Sequence, residues 1–266
     1  MARQRNRKPV DRDNQIRQPA GTSWSPEMPD LLDRLSTAKI VQSRPIMWGS
    51  NSTFLVTLEH PDVGRSHAVY KPRRGEAPLW DFPHGSLFRR EVATYLVSET
   101  IGWSLVPPTV ARDGPHGIGS VQLFIEHDPN SYFVAPAERD RDGSEQIALL
   151  DLVLNNADRK SEHCIQDLGG RTWAIDHGLT FHVEPKLRTV IWDFAGHSIS
   201  DDLLADLETL CHEVNRRGEL YTSLRTLISE NEIDAVSARL SRLLRGRVHP
   251  DPGYERRRVP WGGWWP

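Results

Sequence analysis

Polar and apolar positions change their pattern about halfway along the chain. In the first half, short apolar runs bounded by polar residues, Lys39–Gln42, Ser52–Leu58 and His67–Lys71, predict β-strands. The turn formers from Glu59 to Ser66 join the last two into an antiparallel hairpin. Leu31, Leu32 and Leu35 mark a short helix before them, and Phe88, Val92, Tyr95 and Leu96 stripe a helix over Ser86–Thr100, stopped by Gly102. Two turn-like segments, Val106–Thr109 and Arg112–Gly119, precede an apolar strand over Ser120–Glu126, and residues 128–144 read as loop. The second half is helical: Glu145–Leu154, Asp201–Arg217, Glu219–Ser229 and Glu232–Arg245. One hairpin interrupts it, His163–Asp167 and Arg171–Ile175 around Leu168-Gly169-Gly170.

Strands gathered first and helices after argue for an α+β fold in two lobes, not a doubly wound sheet. The expected division is a basic disordered tail over 1–27, a strand-rich N-lobe over 28–127, a mainly helical C-lobe over 128–247 and a Trp/Pro-rich tail over 248–266.

Composition narrows this little further. The net charge is −3, yet residues 1–20 carry six Arg/Lys against two Asp. A solvated disordered end is the simpler account of that tail, so nucleic acid is not the expected partner. Two cysteines, Cys164 and Cys211, follow no metal-ligand spacing and read as small buried hydrophobes in a reducing, cytoplasmic setting. No apolar run approaches the ~20 residues of a membrane span. Three tryptophans crowd into the last six residues. They are expected to dock on the protein's own helical lobe, with a peripheral membrane surface or a partner as the rival.

Four residues carry the chemistry. Lys71 ends a strand, Glu91 lies in the following helix, Asp158 follows a greasy helix and an Asn-Asn pair, and Asp176 ends the hairpin. Singly each has a plain reading: a snorkelling lysine, a solvated helix charge, two turn formers. Their order resembles a kinase fold. The resemblance implies Lys71 on the phosphates of ATP, Glu91 holding it, Asp158 taking the proton of a hydroxyl acceptor, and Asp176 binding Mg²⁺ or Mn²⁺.

More closely, "EVATYLVSETIGWSLVPPT" and the Asp-Arg of "ADRKSEH" resemble the atypical phosphatidylinositol 3-/4-kinase-like superfamily. "WGSNSTFLV", "VYKPRRGEAPLWDFPHG" and "NADRKSEH" are similar to an uncharacterised bacterial branch of it, over residues 31–245. That likeness implies a thin phosphate loop at Ser50, Asn51 and Ser52, and an adenine-side linker at Phe124, Ile125, Glu126 and His127. It also exposes departures. His163 stands where an Asn usually holds a second metal, Lys160 replaces a His, and His177 replaces a Phe. Imidazole suits Mn²⁺ better than Mg²⁺.

Three functions compete. The first is an ATP-dependent phosphotransferase, with AMP transfer as a variant. The second is a nucleotide-holding pseudokinase. The third is a metal-dependent hydrolase built on Asp158, His163, Asp176, His177 and His182, which leaves Lys71 and Glu91 without a role. The acceptor, whether lipid head group, protein or small molecule, is not named by the residues. Trp80 and Phe82, between the lysine strand and the glutamate helix, are expected to wedge into the core.

Overall fold

A computed structural model describes residues 24–46, 51–127, 135–251 and 259–260. The basic tail, Ser50, most of the segment joining the lobes and the Trp-rich end lie outside the described residues.

A short helix α1 (Leu31–Thr37) leads into a five-stranded antiparallel sheet: β1 (Lys39–Ile46), β2 (Thr53–His60), β3 (Gly64–Pro72), β4 (Thr109–Gly114) and β5 (Gly117–Leu123). The spatial order is β1-β2-β3-β5-β4, with helix α2 (Leu87–Thr100) inserted between β3 and β4. In this register Leu55 faces Val69 and Lys71 faces Ser120. The expected hairpin is therefore β2–β3. One strand escaped the periodicity. Residues assigned to turns from Val106 to Gly119 contain β4 and the start of β5, because the polar edge positions Arg112 and Asp113 hide the alternation.

The second half holds α3 (Pro136–Arg139), α4 (Arg141–Leu154), a hairpin of β6 (Cys164–Gln166) and β7 (Thr172–Ala174), then α5 (Asp201–Asn215), α6 (Glu219–Arg225) and α7 (Glu230–Gly246). Helix begins earlier than the apolar stripe announces, inside the stretch read as loop. Pro136 opens α3, and the Asp140 side chain accepts from Gly143 N to cap α4, local signals that need no hydrophobic period. Ser229 and Glu232 close a capping box on α7. The fold is α+β, a strand-rich lobe followed by a helical one.

Two hydrophobic cores result, and two elements are shared between them. Trp24, Leu35, Val56, Leu58, Tyr70, Val121 and Leu123 form the first, and helices α4, α5 and α7 dominate the second. Side chains alternate across a strand, so in the small hairpin Ile165 and Trp173 enter the first core while Cys164 and Ala174 enter the second. Helix α2 puts Ala93, Val97 and Ile101 into the helical core and packs its flank on β4 and β5. The cleft is thus built on elements that both lobes hold. Both cysteines are free thiols, Cys164 buried and Cys211 half-buried. No helix among the described residues is long and apolar enough to cross a membrane.

Candidate active site

The residues singled out along 105 positions of sequence meet at the cleft. Lys71, at the end of β3, bonds to Glu91 Oε1 on α2, and its Nζ lies 2.8 Å from Asp176 Oδ1. The second Glu91 oxygen accepts from the backbone N of His177, 2.9 Å away. Glu91 is therefore no solvated helix charge. It is buried and joins the strand lysine to the turn carrying Asp176. Burial disfavours the charge of Lys71, but the two carboxylates override it and hold its pKa above the ordinary lysine value. Burial likewise would raise the Asp176 carboxyl, yet the Lys71 ammonium and His163 hold it well below the usual carboxylate range. Glu91, buried on α2, is pushed upward by burial against the pull of Lys71.

Asp176 sits at φ 61°, in the left-handed region. Asp tolerates that conformation better than most residues. The turn ends the hairpin and leaves half of the Asp176 side chain open to the cleft.

The Asn-Asn pair before Asp158 has two separate tasks. Asn155, at φ 56°, ends α4, and its Nδ2 donates to the carbonyls of His182 and Glu184 while its Oδ1 accepts from Lys186 N. Asn156 Oδ1 accepts from Asp158 N at 3.0 Å, and its Nδ2 donates to Asp151. Arg159 is wholly buried and braces the whole site. It pairs with Asp151 and donates to the carbonyls of His163 and Ile175 and to His177 Nε2. One guanidinium thus fixes the loop of Asp158 to the strand end of Asp176. His177 does not face the cleft. It is a fully buried acceptor for Arg159, and burial and that cation keep it neutral.

His163 reaches the site from the far side of the same loop. Its Nδ1 lies 2.9 Å from the Asp158 carbonyl, which can only accept, so Nδ1 carries the proton. The lone pair on Nε2 then faces Asp176 Oδ2 at 3.3 Å. Burial, reinforced by Arg159 and Lys160, brings the imidazole down to about 4 despite Asp176, so it is neutral at ordinary pH. Two lone-pair donors turned on each other at this distance fit a shared divalent cation, at about 2.0–2.2 Å from each. Among the described residues no group of three or more metal-ligating side chains gathers. The hydrolase reading loses its ligand set, since His177 is engaged by Arg159 and His182 Nε2 donates to the Asp81 carbonyl.

The other expected contacts divide. Ser52 and Asn51 line the cleft with Lys71, but Ser52 N donates to Gly75 O at 2.8 Å and Asn51 Oδ1 accepts from Ala77 N at 2.7 Å. Those two groups are engaged by the following loop, while both residues border the cavity. At the adenine side, Phe124 and Ile125 are buried, Phe124 N donates to His67 O, and the Ile125 carbonyl accepts from His127 Nδ1. The Phe124 amide is therefore engaged with β3. None of Phe124, Ile125, Glu126 and His127 borders the cavity of about 160 Å³ at the phosphate end. That cavity is lined by Lys71, Glu91, Asp158 and Asp176 together with Lys160, Glu76 and Leu179.

Lys160 was read only as a departure from the resembled family. In space its Nζ lies 2.9 Å from Asp158 Oδ2, with about a quarter of its side chain exposed. Burial raises the Asp158 carboxyl while Lys160 opposes that rise. The scarcity of lysine was the available signal, five among 33 basic residues. Glu76 was also missed; its Oε1 accepts from Phe88 N and so caps α2. Trp80 and Phe82 part company, Phe82 buried and Trp80 93% exposed.

No protein-family profile matches the sequence. Protein Rv2133c of Mycobacterium tuberculosis is 38% identical over 249 residues, covering 80% of this chain and 87% of that protein. Among solved structures, the Golgi casein kinase superposes with a TM-score of 0.46 at 17% identity, over 81% of this chain and 74% of that one. Hydra Fam20 with sugar gives 0.49 at 14%, over 81% and 86%. The Helicobacter pylori proinflammatory kinase CtkA gives 0.48 at 10%, over 80% and 94%. These are loose likenesses of chain trace, and the chemistry is read from the chain's own side chains.

Proposed function

Since the chain belongs to the same family as protein Rv2133c of Mycobacterium tuberculosis and its fold is kinase-like, we propose that it is an ATP-dependent phosphotransferase acting on a hydroxyl acceptor. The observation that carries this reading is the single ammonium of Lys71 bound to both Glu91 and Asp176. A strand lysine held by a helix glutamate is positioned to take phosphate oxygens. The Val106-Pro107-Pro108-Thr109 corner and the Asp158-Arg159 pair favour the phosphatidylinositol 3-/4-kinase-like branch.

The roles follow from the geometry. Asp176 and His163 would hold one divalent ion, which supplies charge neutralisation for the phosphates. Asp158, braced by Asn156 and Arg159, accepts the proton of the acceptor hydroxyl. The hydroxyl oxygen bonds to the γ-phosphorus as the bond to the bridging oxygen breaks, and ADP leaves with that electron pair. Burial of Asp158 raises its basicity toward that task. Pseudokinase binding is the second reading, favoured by the Ser52 and Asn51 groups engaged with Gly75 and Ala77.

ATP turnover by the purified chain with Mn²⁺ separates the two. Turnover lost in Asp158→Ala by roughly 10²–10⁴-fold, with nucleotide binding kept, supports the transferase. Binding without turnover in the parent supports the pseudokinase, and absence of nucleotide binding overturns both.

A further inference from the structure

Residues 73–86, between β3 and α2, form a strap tied at both ends. On the N-lobe side it is held by the bonds from Ser52 N to Gly75 O and from Ala77 N to Asn51 Oδ1. The seam is tight: a Cβ on Gly75 would lie 2.7 Å from Ser52 Cβ. On the C-lobe side the Asp81 carboxylate pairs with Lys186 at 2.9 Å, and the Asp81 carbonyl accepts from His182 Nε2. Phe82 is buried edge-on against His182, and Trp80 lies over the Lys186 ammonium at 5.1 Å. The chain anchoring that end, 182–186, follows Asp176 and is itself held by Asn155.

Building on the phosphotransferase reading, we propose that this strap closes the acceptor side of the cleft and limits the acceptor to a small molecule with an amphipathic, hydroxyl-bearing end. An extended protein chain lying across the cleft would not be taken. The cavity under the strap has a volume of about 160 Å³. The terminal phosphate received by Lys71 must share that space, so the part left to an acceptor is smaller than the whole. Its lining is mixed in character, with Leu79, Leu87 and Leu179 together with Lys71, Asp158 and Lys160. A short carbon frame ending in a hydroxyl fits both. A peptide would need a continuous groove along the chain after Asp176, and the strap rests there. The Asp81–Lys186 side chains are only 17% and 11% exposed, so the tie is shielded better than a surface ion pair.

The test supplies ATP labelled at the γ-phosphate to the full chain in the presence of Mn²⁺ and cell extract, followed by separation into small-molecule and protein fractions. Label is expected in the small-molecule fraction, and Asp158→Ala should remove it. Label carried by extract proteins would overturn the acceptor class while leaving the transferase reading intact. If the chain binds nucleotide but labels neither fraction, acceptor class and transferase reading fall together. Lys186→Ala cuts the strap's tie without touching the cavity wall. It should keep nucleotide affinity and lower small-molecule labelling on the order of tenfold, through loss of positioning. Unchanged labelling in Lys186→Ala would overturn the strap's role.

Discussion

Lys71 and Asp176 are bonded to each other, Nζ to Oδ1 at 2.8 Å, while Lys71 also holds Glu91. A phosphate drawing on Lys71 and a divalent ion drawing on Asp176 both act on this one pair. With His163 and Asp176 as the ligands offered among the described residues, the proposed ion would depend on phosphate oxygens to complete its shell. Mn²⁺ should therefore bind weakly alone and at least ~10-fold more tightly with ADP present. Calorimetric titrations with and without ADP read this directly. Asp176→Ala should abolish the difference, and equal Mn²⁺ affinities in the parent would contradict the shared site.

Lys160 and Lys71 place two ammoniums on the same cavity, one at Asp158 and one at Glu91 and Asp176. Under the proposed transfer, with Asp158 taking the acceptor proton, Lys160 beside it would meet the terminal phosphate. Lys160→Ala should weaken ATP on the order of tenfold, the scale of one charge-assisted contact, and leave ADP nearly unchanged. Lys71→Ala should weaken both. Equal losses for ATP and ADP in Lys160→Ala would place Lys160 elsewhere.

His163 sets a pH window. Burial holds its folded pKa at about 4, below the ordinary ~6.5. With the folded value depressed, the stability gained from the neutral ring is complete above the unfolded pKa and is lost as pH falls toward the folded one. Metal-dependent nucleotide binding should stay flat down to about pH 5.5 and decline only below it. A decline centred near ~6.5 would show an ordinary imidazole. His163→Asn should move metal preference from Mn²⁺ toward Mg²⁺, read by binding competition, because it replaces imidazole with a hard carbonyl oxygen.

Arg90 carries a second coupling between the lobes. It is buried beside Glu91 on α2, donates to the Thr180 carbonyl and pairs with Glu232 on α7. Burial would raise the Glu232 carboxyl, but Arg90 and the Ser229 cap lower it. Its contribution to stability is therefore present above the unfolded value near ~4.3 and disappears as pH falls through the folded one. Glu232→Ala should cost about 3 kcal/mol at neutral pH, by leaving Arg90 buried without its partner. Denaturant unfolding at neutral pH and near pH ~3 checks this, since the deficit should shrink at the lower pH.

The sequence by itself determined the fold class and four of the residues that meet. Short apolar runs giving way to helical stripes are a local property, and so is the place of Lys71, Glu91, Asp158 and Asp176 at the ends or faces of those elements. Local patterns tell which side of an element turns inward. They do not tell what stands opposite, and only the tertiary structure decided that. Arg159 enters the sequence reading only as the second half of an Asp-Arg pair. It is buried because Asp151, two backbone carbonyls and His177 converge on it from three separate segments. Trp80 and Phe82 are near neighbours of similar hydrophobicity, yet only Phe82 finds a pocket, against His182 and Arg90. In the stretch expected to hold phosphate, Ser52 N and Asn51 Oδ1 are bonded to Gly75 and Ala77, a pairing set by how the strap folds back. Strand β4 stayed hidden because its edge positions are polar, and hydrogen bonding to β5 makes it a strand without any hydrophobic alternation of its own.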